Sequence, residues 1–455
     1  MRGFLSLRPL SRPMSSFSYP PPRSPRSTTG VAHAPLLPIY PPPALNITNA
    51  AVVSRSFPDS RYILSTHIVP AAHLRSTPLP ESPPPAAAPD TASKPERRAI
   101  NAERIAWVKA QAQRQRGRHE RVLWSAVNRY VRKDATDGDG VTLFLAHANG
   151  FPKETWEPAI LDLLAIPNGP VIGEIWAWEA THHGASYLLN SGLPFTACNW
   201  ADDARDVLNF LLHFLPSGIS SSDLPTYLPR VAPEESALRK VRGFSERRLF
   251  AVGHSFGGCC STWAALTHPR LFTALTLVDP VISRFGTPNH DLAMSGPSLM
   301  EGAVARRDSW PSREDAHKAL AANPFFAAWD PRVLDAYVAH GLVAGPSGSV
   351  RLAMPPLQEA LAFEATMTGA PVWDLLPTLD ERIPLRWVLP GRPGEPEIGG
   401  PNATQERVWR RPANSTNIRI AQAGHLVVQQ APRELAREIA GMIEGKFTQQ
   451  LRAKL

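Results

Sequence analysis

Cysteine is scarce in this chain: three in 455 residues, at positions 198, 259 and 260. Three thiols cannot build a disulfide framework, which excludes a cross-linked secreted scaffold and points to a reducing, intracellular compartment. Long apolar runs are also missing. None approaches the ~20 residues of a membrane span, so a soluble protein is expected. Acidic residues are wholly absent from residues 1–55, which are rich in Pro, Ser and Arg. Such a composition cannot bury a core and reads as a disordered leader. An Arg- and Ser-rich, acid-free start also has the character of an organelle transit peptide. The formal charge is +8, and much of the excess lies in the leader and in Arg97, Arg98, Arg104, Lys109, Arg114, Arg116, Arg118 and Arg121. With no zinc-finger, RRM or basic-zipper pattern, this is a solvated basic arm, and nucleic acid is not an expected partner.

What the chain does have is a rhythm. Apolar strands are expected at 62–69, 122–131 and 141–146, the first two separated by a Pro-rich and basic insertion at 79–120. Within that insertion Ile105, Val108 and Ala112 have weak helical spacing, and an exposed excursion fits equally well. From residue 141 strand and helix alternate, the pattern of a mostly parallel sheet covered on both faces. The rhythm lapses at 283–373, where Pro- and Trp-punctuated segments read as a helical cap, and resumes with strands near 385–391 and 417–420. Residues 56–455 thus form one domain carrying an insertion and a cap. A last helix follows, with Leu435, Ile439, Met442 and Ile443 on one face.

The chain is organised around Leu249-Phe250-Ala251-Val252-Gly253-His254-Ser255-Phe256-Gly257-Gly258. An apolar strand breaks at G-x-S-x-G and small residues continue it as a helix. Strand, tight turn and helix in that order make the nucleophile elbow of an α/β-hydrolase fold, with the serine exposed at the apex. A serine hydroxyl is a poor nucleophile at neutral pH and needs a base oriented by a third group. His425, after the last strand in Ala423-Gly424-His425-Leu426, stands where the fold places that base. His254 belongs to the elbow itself, and His182 and His183 come too early, fitting the edge of the pocket.

Two acids compete. Asp279 ends the strand after the elbow helix, whereas Glu395 (or Glu397) lies in the loop after Pro390-Gly391. A mobile polar loop holds a carboxylate poorly, which favours Asp279; a strand-ending Asp before Pro is also a common turn residue. The oxyanion hole needs two backbone donors. The N–H of Phe256 is one; the other comes from Ala146-His147-Ala148-Asn149-Gly150-Phe151-Pro152, where Phe151 is favoured and Asn149 is next. Trp176, Trp178, Trp310, Phe325, Phe326 and Trp329 are candidates for an acyl pocket, and each is equally a candidate for ordinary core. The chemistry requires no metal or organic cofactor, and none is expected.

These residues bring a family into view. The stretch H-A-N-G-F-P-K-E-T-W at 147–156, N-W-A-D-D-A-R-D at 199–206, the elbow, L-V-D-P-V-I at 277–282 and W-D-P-R-V-L at 329–334 together resemble a group of fungal α/β-hydrolases. The group includes peroxisomal toxin-biosynthesis proteins and an acyl-CoA hydrolase of mycophenolic acid biosynthesis. The resemblance implies a small-molecule ester or acyl-CoA substrate, and it maps the triad acid onto Asp279. The chain departs from the group in its leader and its insertion. The terminal Ala453-Lys454-Leu455 differs from the S-K-L peroxisomal address by one small residue, so a peroxisomal import receptor is an expected partner. Cytosol and mitochondrion are the alternatives. An acyltransferase with the same triad, or a non-catalytic binding protein of the same fold, are the rival functions. Ser rather than Asp at the elbow argues against an epoxide hydrolase or dehalogenase.

Overall fold

The structure is a computed structural model that describes residues 18–22, 28, 33–42, 55–80, 82, 84–89, 91–114, 117–136, 141–191, 197–284, 298–365 and 369–446. Its centre is an eight-stranded sheet in the order β1-β2-β4-β3-β5-β6-β10-β11. The strands are β1 (Tyr62–Pro70), β2 (Trp124–Arg132), β3 (Val141–Ala146), β4 (Glu174–Trp178), β5 (Arg248–His254), β6 (Ala274–Val278), β10 (Leu385–Pro390) and β11 (Ser415–Ile420). β1, β2 and β4 pair antiparallel, and all pairs from β4 through β11 are parallel. The central parallel strands read as near-continuous apolar runs because both their faces are buried.

Those faces divide the core by alternation along each strand. Leu249, Ala251, Leu275, Leu277 and Trp387 point to one side, joined there by Trp200 and Phe256. Phe250, Val252, Ala274, Val278 and Val388 point to the other, with Trp156, Ile160, Leu435 and Ile439. The first layer holds α4 (Trp200–Asn209) against α6 (Phe256–Thr267), and the second packs α2 (Glu157–Leu164) against α15 (Pro432–Ile443). Several buried charges on the first side are paired. Arg75 bonds Asp206 at 2.6 Å and approaches Asp202 at 3.5 Å, and Asp202 also holds Arg205 at 2.6 Å. The N-W-A-D-D-A-R-D stretch therefore clamps residues 71–76 onto α4, a structural role.

The cap follows β6 as expected, and short strands join its helices. It comprises α7 (Leu299–Ala305), α8 (Arg313–Ala321), α9 (Pro324–Ala327), α10 (Pro331–His340), α11 (Pro356–Glu364) and α12 (Ala370–Leu375). A three-stranded antiparallel sheet of β7 (Ser309–Trp310), β9 (Val350–Leu352) and β8 (Leu342–Ala344) sits among them. The cap has its own core of Trp310, Leu320, Phe326, Trp329, Val333, Tyr337 and Leu352, which extends to Ala148, Phe151 and Leu426 of the main domain. Of the helical cap residues expected at 283–373, residues 285–297 and 366–368 lie outside the described ones.

One alternative is decided and one expectation needs correction. Of the two readings of the insertion at 79–120, the helical one holds: α1 (Lys94–Gln113) occupies it, started by a Ser93/Glu96 capping box. Trp107 and Val108 bury against Met300, Val304, Leu357 and Leu361 of the cap. The leader, read as disordered over 1–55, contributes fixed segments. Tyr19, Leu36 and Ile39 pack on the main core, Arg205 donates to the carbonyls of Leu37 (2.9 Å) and Pro38 (2.8 Å), and Trp409 Nε1 donates to Tyr19 O at 2.9 Å. Few anchors and backbone acceptors suffice here, which composition cannot reveal. The remainder of the leader lies outside the described residues, as does the Ala453-Lys454-Leu455 tail. No helix among the described residues is long and apolar enough to cross a membrane.

Candidate active site

Ser255 stands between β5 and α6 with φ +54° and ψ −116°, a left-handed conformation that a non-glycine residue adopts only under constraint. The constraint is visible. Ser255 N–H donates to Val278 O at 3.0 Å, and Ser255 O accepts from Val281 N–H at 3.1 Å. A β-carbon on Gly257 would fall 2.5 Å from the carbonyl oxygens of Ala146 and His147, and one on Gly253 would fall 2.6 Å from Gly257 O. The elbow thus closes only because both positions lack a side chain.

At this apex the expected partners meet. His425 Nε2 lies 3.0 Å from Ser255 Oγ, and its Nδ1 lies 2.7 Å from Asp279 Oδ2. Asp279 is buried at the end of β6 with φ +34°, its N–H bonded to Val388 O at 2.9 Å. Its other oxygen, Oδ1, accepts from the Arg407 guanidinium at 2.9 Å. Burial alone would push the Asp279 carboxyl up. The hydrogen bond from His425, together with the charges of His425 and Arg407, outweighs burial and holds it below the usual carboxylate range.

Glu395 does not face the imidazole. Its Oε1 accepts the backbone N–H of His425 at 3.0 Å, while Glu397 accepts the N–H of Thr404 at 2.9 Å, in α13 (Ala403–Val408). His254 Nε2–H donates to the carbonyl of His425 at 2.9 Å, so the main chain of His425 is held on both sides. Burial, then the neighbouring His425, pushes the His254 imidazole down to about 3, and it remains a neutral donor.

The two backbone donors expected of an oxyanion hole differ in engagement. Phe256 N–H meets no acceptor among the described residues. Gly150, at φ +86°, completes a turn in which Phe151 N–H reaches Ala148 O at 3.4 Å, longer than an ordinary N–H···O bond. Gly150 N–H is taken by His183 Nε2 at 2.9 Å. His183 and His147 are fully buried, and burial keeps both neutral, His147 down to about 4. They brace the loop, with His147 Nε2 accepting Ala180 N–H at 3.0 Å. His183 therefore supports the loop from within, and His182, likewise buried, lies 6.1 Å from the Phe256 ring.

The aromatic candidates divide. Trp176 and Trp178 belong to the main core, Trp310, Phe326 and Trp329 to the cap core, and Phe325 is half exposed. Both sets reach the site: Trp329 meets Phe151 edge to face at 5.3 Å, and Trp178 stacks near Phe256 at 6.4 Å. Arg407 is the residue the sequence did not reveal. It lies 128 positions from Asp279 in the chain, and no motif joins the two.

A family model described as the Alpha/beta hydrolase family matches residues 143–438. The chain belongs to the alpha/beta hydrolase family. The match spans the loop after β3, the elbow, the cap and the loop that carries His425 together. Among relatives of this hydrolase, the type I acyl-CoA thioesterase mpaH of Penicillium brevicompactum is 32% identical over 209 residues, 46% of this chain and 41% of the relative. The mpaH of Penicillium roqueforti is 33% identical over 218 residues, 48% and 43% of the two chains. The Abhydrolase domain-containing protein ACTT2 of Alternaria alternata is 39% identical over 97 residues, 21% of this chain and 34% of the relative. The chain thus spans under half the length of these relatives. In fold it is similar to the peroxisomal alpha-beta-hydrolase Lpx1 of Saccharomyces cerevisiae, with a TM-score of 0.59 at 18% identity over 86% of this chain and 91% of that one.

Proposed function

We propose that this hydrolase cleaves an acyl thioester of the acyl-CoA class by a Ser255–His425–Asp279 triad. The observation that carries the reading is the unbroken line of contacts, 3.0 Å from Ser255 Oγ to His425 Nε2 and 2.7 Å from His425 Nδ1 to Asp279 Oδ2. In this reading Ser255 Oγ attacks the carbonyl carbon and its proton passes to His425 Nε2. Asp279 fixes the tautomer with its proton on Nδ1 and stabilises the imidazolium that forms. The N–H of Phe256 receives the developing oxyanion. Phe151 N–H joins it by giving up the long bond to Ala148 O, as apo donors commonly tighten only with substrate. The intermediate collapses, the thiolate leaves with the proton from His425, and water attacks the acyl-serine by the same steps in reverse.

The thioester class is supported by the Penicillium acyl-CoA thioesterases among the relatives. A screen of acyl-CoA thioesters of graded chain length and of aromatic acyl-CoAs tests the reading, with Ser255→Ala as control. Free thiol released by the wild type and not by the variant is expected. Equal release by both contradicts it, and acyl transfer to added alcohol or thiol acceptors in place of hydrolysis identifies the acyltransferase instead.

A further inference from the structure

A cleft of about 660 Å³ opens between α1 and the cap, and the triad does not use it. Its size lies within the ~300–1,000 Å³ of small-molecule sites. The wall carries Arg97 and Arg104 from α1 and Arg306 and Arg307 from the turn after α7, with Asp308 as the one carboxylate among the described lining residues. Arg306 is engaged by Glu359 and by Tyr337 Oη at 3.0 Å. Arg307 donates to Ser309 O at 2.7 Å and lies 5.5 Å from the centre of the Trp310 ring, which also lines the cleft.

Two buried donors here have no acceptor. Arg104 is 8% exposed and Trp310 is 4% exposed, yet Arg104 Nε and Trp310 Nε1 meet no acceptor among the described residues. Leaving such groups buried and unpaired is costly unless a ligand supplies the acceptor. Several guanidinium forks with little counter-charge suit phosphate oxygens in particular.

The cleft also adjoins the catalytic loop. Arg306 lines a second, small pocket together with Gly150 and Phe151. Glu359, the partner of Arg306, stands 2.7 Å from where a β-carbon on Gly150 would lie. Arg306 is thus shared by the cleft and the small pocket at the loop that carries Gly150 and Phe151, which sets the arginines beside that loop.

Resting on the thioester reading, we propose that this cleft binds the phosphorylated nucleotide end of a coenzyme-A-type thiol. Arg97, Arg104 and Arg307 take the phosphates, the Trp310 N–H takes a further acceptor, and the pantetheine arm runs past Arg306 toward Phe151. Recognition is thereby assigned to α1, the element in the insertion where this chain departs from the fungal group it resembles.

Titration calorimetry on the full chain tests this with coenzyme A, adenosine 3′,5′-bisphosphate, pantetheine and inorganic phosphate. Coenzyme A and the bisphosphate are expected to bind, and pantetheine and inorganic phosphate to bind far more weakly. Arg307→Gln, at an exposed position, and Arg104→Gln should each weaken coenzyme A binding about tenfold, the scale of one charged hydrogen bond. The same variants should raise KM for acyl-CoA with kcat unchanged and leave acyl-N-acetylcysteamine thioesters, which lack the nucleotide, unaffected. Failure of the wild type to bind coenzyme A overturns the proposal, as does equal binding of inorganic phosphate or an equal effect of the variants on both thioesters. Hydrolysis of N-acetylcysteamine thioesters without coenzyme A binding would leave the hydrolase reading standing and this one fallen. Coenzyme A binding lost in both variants, with no thioester cleaved, would do the reverse.

Discussion

Asp279 divides its two oxygens between His425 and Arg407, and that division explains how a buried carboxyl is held below its usual range. Oδ2 faces His425, while Oδ1 is occupied by Arg407, which is itself fully buried. Glu395 supports the same histidine through its backbone N–H and cannot orient the ring. Steady-state kinetics should separate the roles. Asp279→Asn is expected to lower kcat by ~10⁴, the loss seen when a triad acid no longer fixes the tautomer. Glu395→Gln, which keeps an acceptor for the His425 N–H, should cost no more than a few-fold. Comparable losses at both positions would overturn the assignment. Ser255 and His425 were legible in the sequence because the elbow and the last strand fix their places in the fold. The choice of Asp279 over Glu395 rested on the mobility of the later loop and on resemblance, whereas only three-dimensional facing tells which carboxylate meets the ring. Arg407 was illegible for the same reason.

At the level of elements, the elbow is a junction of β5, α6 and the loop after β3, held at backbone-to-backbone distance. The Gly257 position faces two carbonyl oxygens that no side-chain rotation can move. Gly257→Ala is therefore expected to destabilise the fold by at least ~3 kcal/mol, at the upper end of single-substitution effects. Denaturant titration with circular dichroism would measure it, and a midpoint like that of the wild type would refute the packing argument. The central strands were legible as continuous buried apolar runs, and the cap was legible as a loss of that rhythm. Its strands β7, β8 and β9 were not, because two or three residues are too few to show a period of two. Helix α1 had a readable signal in Ser93-Lys94-Pro95-Glu96, a capping box with proline in the first turn, which the surrounding Pro-rich composition obscured.

Over the whole molecule, buried titratable groups set the response to acid. His254 is buried neutral with its pKa pushed down to about 3, against about 6.5 when unfolded. Between those values the unfolded chain takes up a proton that the native state refuses. The stability contributed by this group is therefore complete above pH ~6.5 and declines as pH falls toward 3, by at most about 1.4 kcal/mol per pH unit. Buried Asp203, pushed well above its usual range chiefly by burial, acts with the opposite sign. A difference measurement cancels it. The gap in Tm between wild type and His254→Gln should narrow from pH 7 to pH 4 in calorimetry; a gap independent of pH would contradict the assignment. The central claim, that Ser255 is the activated nucleophile of the intact chain, is tested most directly by fluorophosphonate labelling followed by peptide mass spectrometry. The account predicts one adduct, on Ser255, lost in Ser255→Ala and strongly slowed in His425→Ala. An unlabelled Ser255, or labelling undiminished without His425, would contradict it.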